Sequence, residues 1–186
     1  MTVLRRVVGI VAGAFMLFAI AAAATAAALK SQLRRVDDPE ADEIALAAVF
    51  APLYFQSTAR SFRGGTVDCW YGGGTIDLRA ATMDPAGATL RVRAIFGGGQ
   101  IVVPASWAVT TKVRGVGGAG DARPAETRPE DGPRLTIEGP VLFGGFGVTS
   151  ELREKDAAAM RKAVEEYTKR QQQKHAPEPV ASETAV

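Results

Sequence analysis

The chain has 186 residues, and its 22 basic and 20 acidic side chains leave a net charge of only +2, interspersed along the sequence. So small an imbalance gives no nucleic-acid footprint. A single cysteine, Cys69, rules out an intramolecular disulfide, and a single histidine, His175, leaves no zinc-ligand spacing.

After a short tail at residues 1–6, Val7 to Leu29 form 23 consecutive uncharged positions with Arg5 and Arg6 before them and Lys30 after. As a helix this stretch is about 34 Å long, enough to cross a hydrocarbon core of about 30 Å, and the sequence predicts one transmembrane helix over 7–29. The alternative is a cleaved secretory signal, since Ala22-Ala23-Ala24 and Ala24-Thr25-Ala26 have the small-x-small form. The apolar run is longer than the usual signal core of about 7–15 residues. Either reading brings the chain to a membrane, and the retained helix makes it a single-pass protein of the cell membrane. Arg5 and Arg6 with the amino terminus nearly balance Lys30, Arg34 and Arg35, so the side carrying the soluble part stays open. Residues 30–43, with Asp37-Asp38-Pro39, read as a juxtamembrane linker.

Residues 44–150 read as one domain built on a recurring aromatic-glycine corner followed by strand-like sequence. The copies are Tyr71-Gly72-Gly73, Phe96-Gly97-Gly98 and Phe143-Gly144-Gly145, with weaker ones at Val116-Gly117-Gly118 and Phe50-Ala51-Pro52. Their first positions are 21, 25, 20 and 27 residues apart. A period in the twenties predicts a β-solenoid, each copy one coil, with the corner glycines supplying positive φ and close backbone approach. Between corners, Thr66–Trp70, Thr75–Arg79, Thr89–Ile95 and Arg134–Glu138 alternate apolar and polar residues, as half-buried strands do. Thr66, Asp68, Thr75, Asp77, Arg91 and Arg93 then form an outward ladder, either a solvated face or a partner site, in which Asp77, Arg91 and Arg93 are the candidate partner-binding residues. Gly117 to Pro133, with three prolines and no periodicity, reads as an exposed excursion between coils.

Residues 151–174 change period. Leu152, Met160, Ala163, Val164 and Tyr167 fall at helical spacing, which predicts an amphipathic helix that caps the last open coil or binds a partner. The tail at 175–186, rich in Pro, Glu, Ala and Ser, reads as disordered.

Chemistry is scarce. His175 lies in the tail, so no base serves a serine or cysteine nucleophile within the domain, and no catalytic residue, cofactor or metal set is assigned. The runs Gly72-Gly73-Gly74 and Gly97-Gly98-Gly99 lack the Lys-Ser/Thr ending of a phosphate loop and lead into strands. Cys69 reads as a small core residue and Trp107 as packing at a coil edge.

The order Phe62-Arg63-Gly64-Gly65-Thr66-Val67, Tyr71-Gly72-Gly73-Gly74-Thr75-Ile76-Asp77-Leu78-Arg79, Ala94 to Pro104 and Leu142-Phe143-Gly144-Gly145 resembles the C-terminal domain of the LiaF-type cell wall-active antibiotic response proteins. The resemblance covers about residues 44–150 and adds Phe62, Gly64 and Gly65 to the corner set. It implies a membrane-tethered β-helical domain without catalytic residues, whose best-known relatives negatively regulate a sensor kinase of the envelope-stress response. This chain differs in its single membrane segment and in Ala51-Pro52 at the first corner. The expected function is a regulatory or sensory module whose partner is a membrane sensor kinase or another envelope protein. The alternative is a self-associating structural solenoid of the bactofilin kind.

Overall fold

The computed structural model describes residues 36–123 and 129–174. The expected membrane helix at 7–29 and the tails at 1–6 and 175–186 lie outside the described residues. No described helix is long and apolar enough to cross a membrane.

The chain is mostly β. In order it forms β1 (Glu43–Val49), β2 (Pro52–Gln56), β3 (Gly64–Trp70), β4 (Gly73–Asp77), β5 (Ala88–Ile95), β6 (Gly98–Val102), β7 (Ala108–Arg114), β8 (Gly117–Asp121), β9 (Arg134–Leu142), β10 (Gly144–Thr149) and a helix, α1 (Glu154–Lys174). Odd strands build sheet A and even strands sheet B, all in parallel. Each odd strand turns one corner into the next even strand, and the two make a rung. Connections such as 57–63, 78–87 and 103–107 close the third side. The result is the expected β-solenoid, because the period-2 strands have one dry face and need a neighbouring rung to satisfy their backbone.

Alternation fixes the core. Ile44, Leu46, Val67, Cys69, Leu90, Val92, Leu135, Ile137 and Val141 point inward from sheet A, and Phe55, Ile76, Ile101, Phe146 and Val148 from sheet B. Each large side chain so buried contributes about 1.5–3 kcal/mol. Phe62 is not a corner residue: it is fully buried on the third side, stacked on Trp107 with ring centroids 6.2 Å apart. Trp107 is therefore a core residue and not a coil-edge one.

The rungs do not stack in chain order. Sheet A runs β1-β3-β5-β9-β7 and sheet B β2-β4-β6-β10-β8, so the last rung in sequence lies between the third and the fourth. Charge register gives a physical reason. In the observed stack the outward column reads Arg91, Glu138, Lys112, with Glu138 opposite both cations. Placing β7 directly on β5 in the same register would set Arg91 against Lys112, and like charges directly opposite destabilise a sheet. Inside, the same exchange keeps Ile137 in the packed interior and leaves Thr111 on the end rung.

Two expectations about the ends of the domain are corrected. Gly117–Asp121, assigned to an exposed excursion, is the strand β8 of the terminal rung, and the nearby Arg123 is buried against Asp121 and the Trp107 carbonyl. Residues 36–42, assigned to the linker, belong to the domain. Val36 pairs antiparallel with Ala45, and the Pro39 carbonyl accepts bonds from the Thr58 N–H and Ser57 Oγ, so this segment crosses the open end of the first rung.

Helix α1 is also not a cap on the last coil, which is internal. Leu152, Ala157, Met160 and Val164 lie over the outer face of sheet B beside Gln56 and Asp77, and Ala163, Val164 and Tyr167 reach β2 of the first rung and Asp37. Its apolar stripe finds cover there because Val102 and Thr75 give that face a dry centre.

Candidate interaction surface

At four corners the chain turns on the aromatic residue itself. Phe50, Tyr71, Phe96 and Phe143 have φ of 48°, 52°, 48° and 53°, in the left-handed region. Gly97 and Gly144, expected to supply positive φ, do not; they are glycine because of crowding. A Cβ on Gly72 would lie 2.6 Å from the Ala51 carbonyl oxygen, and one on Gly97 or Gly144 would collide with the carbonyl of Gly72 or Gly97. Each of these positions faces the preceding rung. The first rung has none before it, so Ala51 is tolerated where the others must be glycine. Pro52 follows the same logic. Gly98 and Gly145 donate their N–H to the Gly72 and Gly97 carbonyls one rung back, a bond for which the first rung has no acceptor. Proline belongs at such an edge.

The four rings form one column. Phe50 and Tyr71 stack at 5.0 Å with 4° between planes, Tyr71 and Phe96 at 5.3 Å, Phe96 and Phe143 at 4.8 Å. They are 52 to 57 % exposed. The column is unbroken only because the last rung inserts beside the third. Val116 does not extend it: its carbonyl accepts from the Phe143 N–H as those of Trp70, Ile95 and Leu142 accept from the corner before them, so it stands one position earlier. Exposed Leu142 and Val116 flank the rings. A left-handed backbone costs an ordinary residue about 1–2 kcal/mol, and each stacking contact returns about 0.5–1.5 kcal/mol. Four strained corners cost more than three stacking contacts return, so folding stability alone does not account for four exposed aromatic rings in a strained conformation.

The outer face of sheet A grades from this apolar rib to charge. Arg93 donates to Asp68, with Nη2 to Oδ2 at 2.7 Å, and Arg91 Nε to Glu138 at 3.2 Å. The Asp68 carboxylate raises the Arg93 guanidinium above its ordinary pKa. Lys112 and Arg114 are exposed and form no ion pair among the described residues. Shallow grooves of about 660 and 560 Å³ run along the face, the first past Arg63, Thr66 and Asp68, the second past Lys112, Arg114 and Pro140.

The outward ladder expected from sequence divides between two surfaces. Thr66, Asp68, Arg91 and Arg93 lie on sheet A, Asp68 buried in its ion pair with Arg93, whereas Thr75 and Asp77 lie on sheet B and are both buried. Asp77 is not available to a partner: α1 covers it, and Arg79 holds it through Nε at 3.0 Å and Nη2 at 2.8 Å. That pairing raises the Arg79 pKa. The alternation of Asp77 read correctly, but the helix that packs over the outward face is remote in sequence. The same Asp-x-Arg clasp recurs at Asp121-Ala122-Arg123, a repeat legible in the sequence. Burial, reinforced by Asp68, pushes the Cys69 thiol up to about 12, as befits an inert core residue.

Among the corner set, Gly64, Gly65, Gly98 and Gly117 do take positive φ, whereas Gly73, Gly118 and Gly145 are not among the positive-φ glycines. Gly73 is held by close approach to Gly98, and Gly118 on the terminal rung meets nothing within 4 Å. No family model, curated protein or solved structure matches this chain.

Proposed function

We propose that this protein is a membrane-tethered, non-enzymatic regulatory or sensory module of the bacterial envelope, related to the LiaF type. The observation that carries the reading is the unequal treatment of the two sheets. α1 packs over the first rungs of sheet B at Gln56 and Asp77, while no helix among the described residues covers sheet A, a rigid, open face that carries the ion pairs Arg93–Asp68 and Arg91–Glu138 and, on its terminal rung, Lys112 and Arg114, which form no ion pair among the described residues. Such a face acts by differential binding to states of a partner, here a membrane sensor kinase or another envelope protein with an acidic surface. Deleting residues 44–150 should change the transcriptional response to cell-wall antibiotics, and Lys112→Glu with Arg114→Glu should reproduce part of the change in a protein that still folds. A deletion strain that responds like its parent across a full dose series refutes the regulatory role.

The structural alternative draws on one observation, the terminal rung β7/β8, whose outer edge pairs with nothing among the described residues. That edge permits association through one end only, because the first rung is crossed by residues 36–42.

A further inference from the structure

We propose that the aromatic rib is a bilayer-docking edge: Phe50, Tyr71, Phe96 and Phe143 lie in the interfacial zone of the membrane, while Lys112 and Arg114 meet anionic lipid headgroups. The inference rests on the membrane attachment proposed above for residues 7–29.

Ring geometry decides what kind of occupant the rib takes. The three stacking contacts cover both faces of Tyr71 and Phe96 and one face each of Phe50 and Phe143, so along most of its length the rib offers solvent ring edges rather than faces. A sugar or a base needs an open face on which to stack, and the two inner rings withhold it. A row of edges forms a ridge about 14 Å long at the strand spacing of about 4.8 Å, a shape that suits insertion into a soft apolar layer. Aromatic side chains concentrate at the membrane–water interface, and nearby cations add attraction to anionic lipid.

The course of the chain places the rib near the bilayer. Val36 pairs antiparallel with Ala45, so the backbone at Val36 runs opposite to β1 and lies against the first rung. Only six residues, 30–35, separate Val36 from the apolar run that ends at Leu29. Fully extended, they span at most about 20 Å. The first rung is thereby held within that distance of the membrane surface. The cations Lys30, Arg34 and Arg35 in those six residues match the charge of Lys112 and Arg114. Together they favour an anionic surface.

The test uses full-length protein reconstituted into vesicles of phosphatidylcholine and phosphatidylglycerol with brominated acyl chains. The native tryptophans are Trp70 and Trp107, so the apolar run contributes no signal. Phe96→Trp puts a reporter in the rib, and carbonate washing reports separately on the anchor. Docking predicts that bromine quenches the tryptophan introduced at position 96 at least twofold, and that Lys112→Glu with Arg114→Glu weakens this quenching. Protein retained through carbonate whose new tryptophan is unquenched overturns the docking edge and leaves the anchor standing. Quenching in protein released by carbonate supports the rib and refutes the anchor. Shielding that follows protein density and not bromine assigns the rib to a second copy and overturns the proposal. Phe143→Trp, a ring on the neighbouring rung, repeats the measurement if Phe96→Trp does not fold.

Discussion

The corner divides two separate constraints between two adjacent residues. The aromatic carries the unfavourable dihedral, and the glycine after it carries the close approach to the preceding rung. This separates the effects of substitutions. Gly97→Ala forces a methyl group onto the Gly72 carbonyl and should cost several kcal/mol in urea unfolding, whereas Ala51→Gly, with no rung before it, should change stability by about 1 kcal/mol or less. Equal losses for both would remove the steric explanation. Phe96→Gly surrenders two stacking contacts but releases the left-handed strain, so its unfolding free energy should stay within about 1 kcal/mol of the parent. A loss of 3 kcal/mol or more, on the order of a buried aromatic truncation, would show instead that the ring is a stability element. The sequence displayed these corners plainly, because Phe-Gly-Gly recurs, but which of the three residues turns left is a property of the packed rungs and not of the tripeptide.

Between residue and molecule, the strands were legible and their order was not. Period-2 alternation marks β3, β4, β5 and β9 on sight, and the change of period marks α1. The insertion of β9 and β10 before β7 and β8 depends on pairings 47 and 26 residues apart, which no local pattern announces. Charge was the available clue: Arg91 and Arg93 repel Lys112 and Arg114 at the register in which the rungs stack, and Glu138 suits both sides. Glu138→Lys should therefore lower stability by about 1 kcal/mol, read from the melting temperature in dilute buffer. In about 1 M salt, where the screening length falls to about 3 Å, the difference should largely vanish. A loss that is the same at both salt concentrations would mean that packing, and not charge, sets the rung order. The burial of Asp77 under α1 was hidden for a related reason, since helix and strand meet across some 80 residues of sequence.

At the scale of the whole molecule, the two ends of the solenoid differ. Residues 36–42 and the far end of α1 close the first rung, with Tyr167 Oη 3.4 Å from Asp38, whereas β7 and β8 present the other end. A stack that can grow through only one end stops at two molecules. Light scattering of the detergent-solubilised protein should accordingly find monomer or dimer, and negative-stain images should show no filaments. Filaments would require the first rung to open and would restore the structural role. The inserted rung has a mechanical consequence as well. In a solenoid stacked in chain order, a pull on the carboxyl terminus peels the outermost rung, which has one neighbour to leave. Here the same pull reaches β9 and β10 first, and they are clamped by hydrogen bonds on both sides. The strands that would peel most easily lie in mid-chain, shielded from the rope. If α1 and the tail behind it are ever tugged by a partner, the load falls on the best-held layer of the domain, and the fold resists until it gives way as one unit.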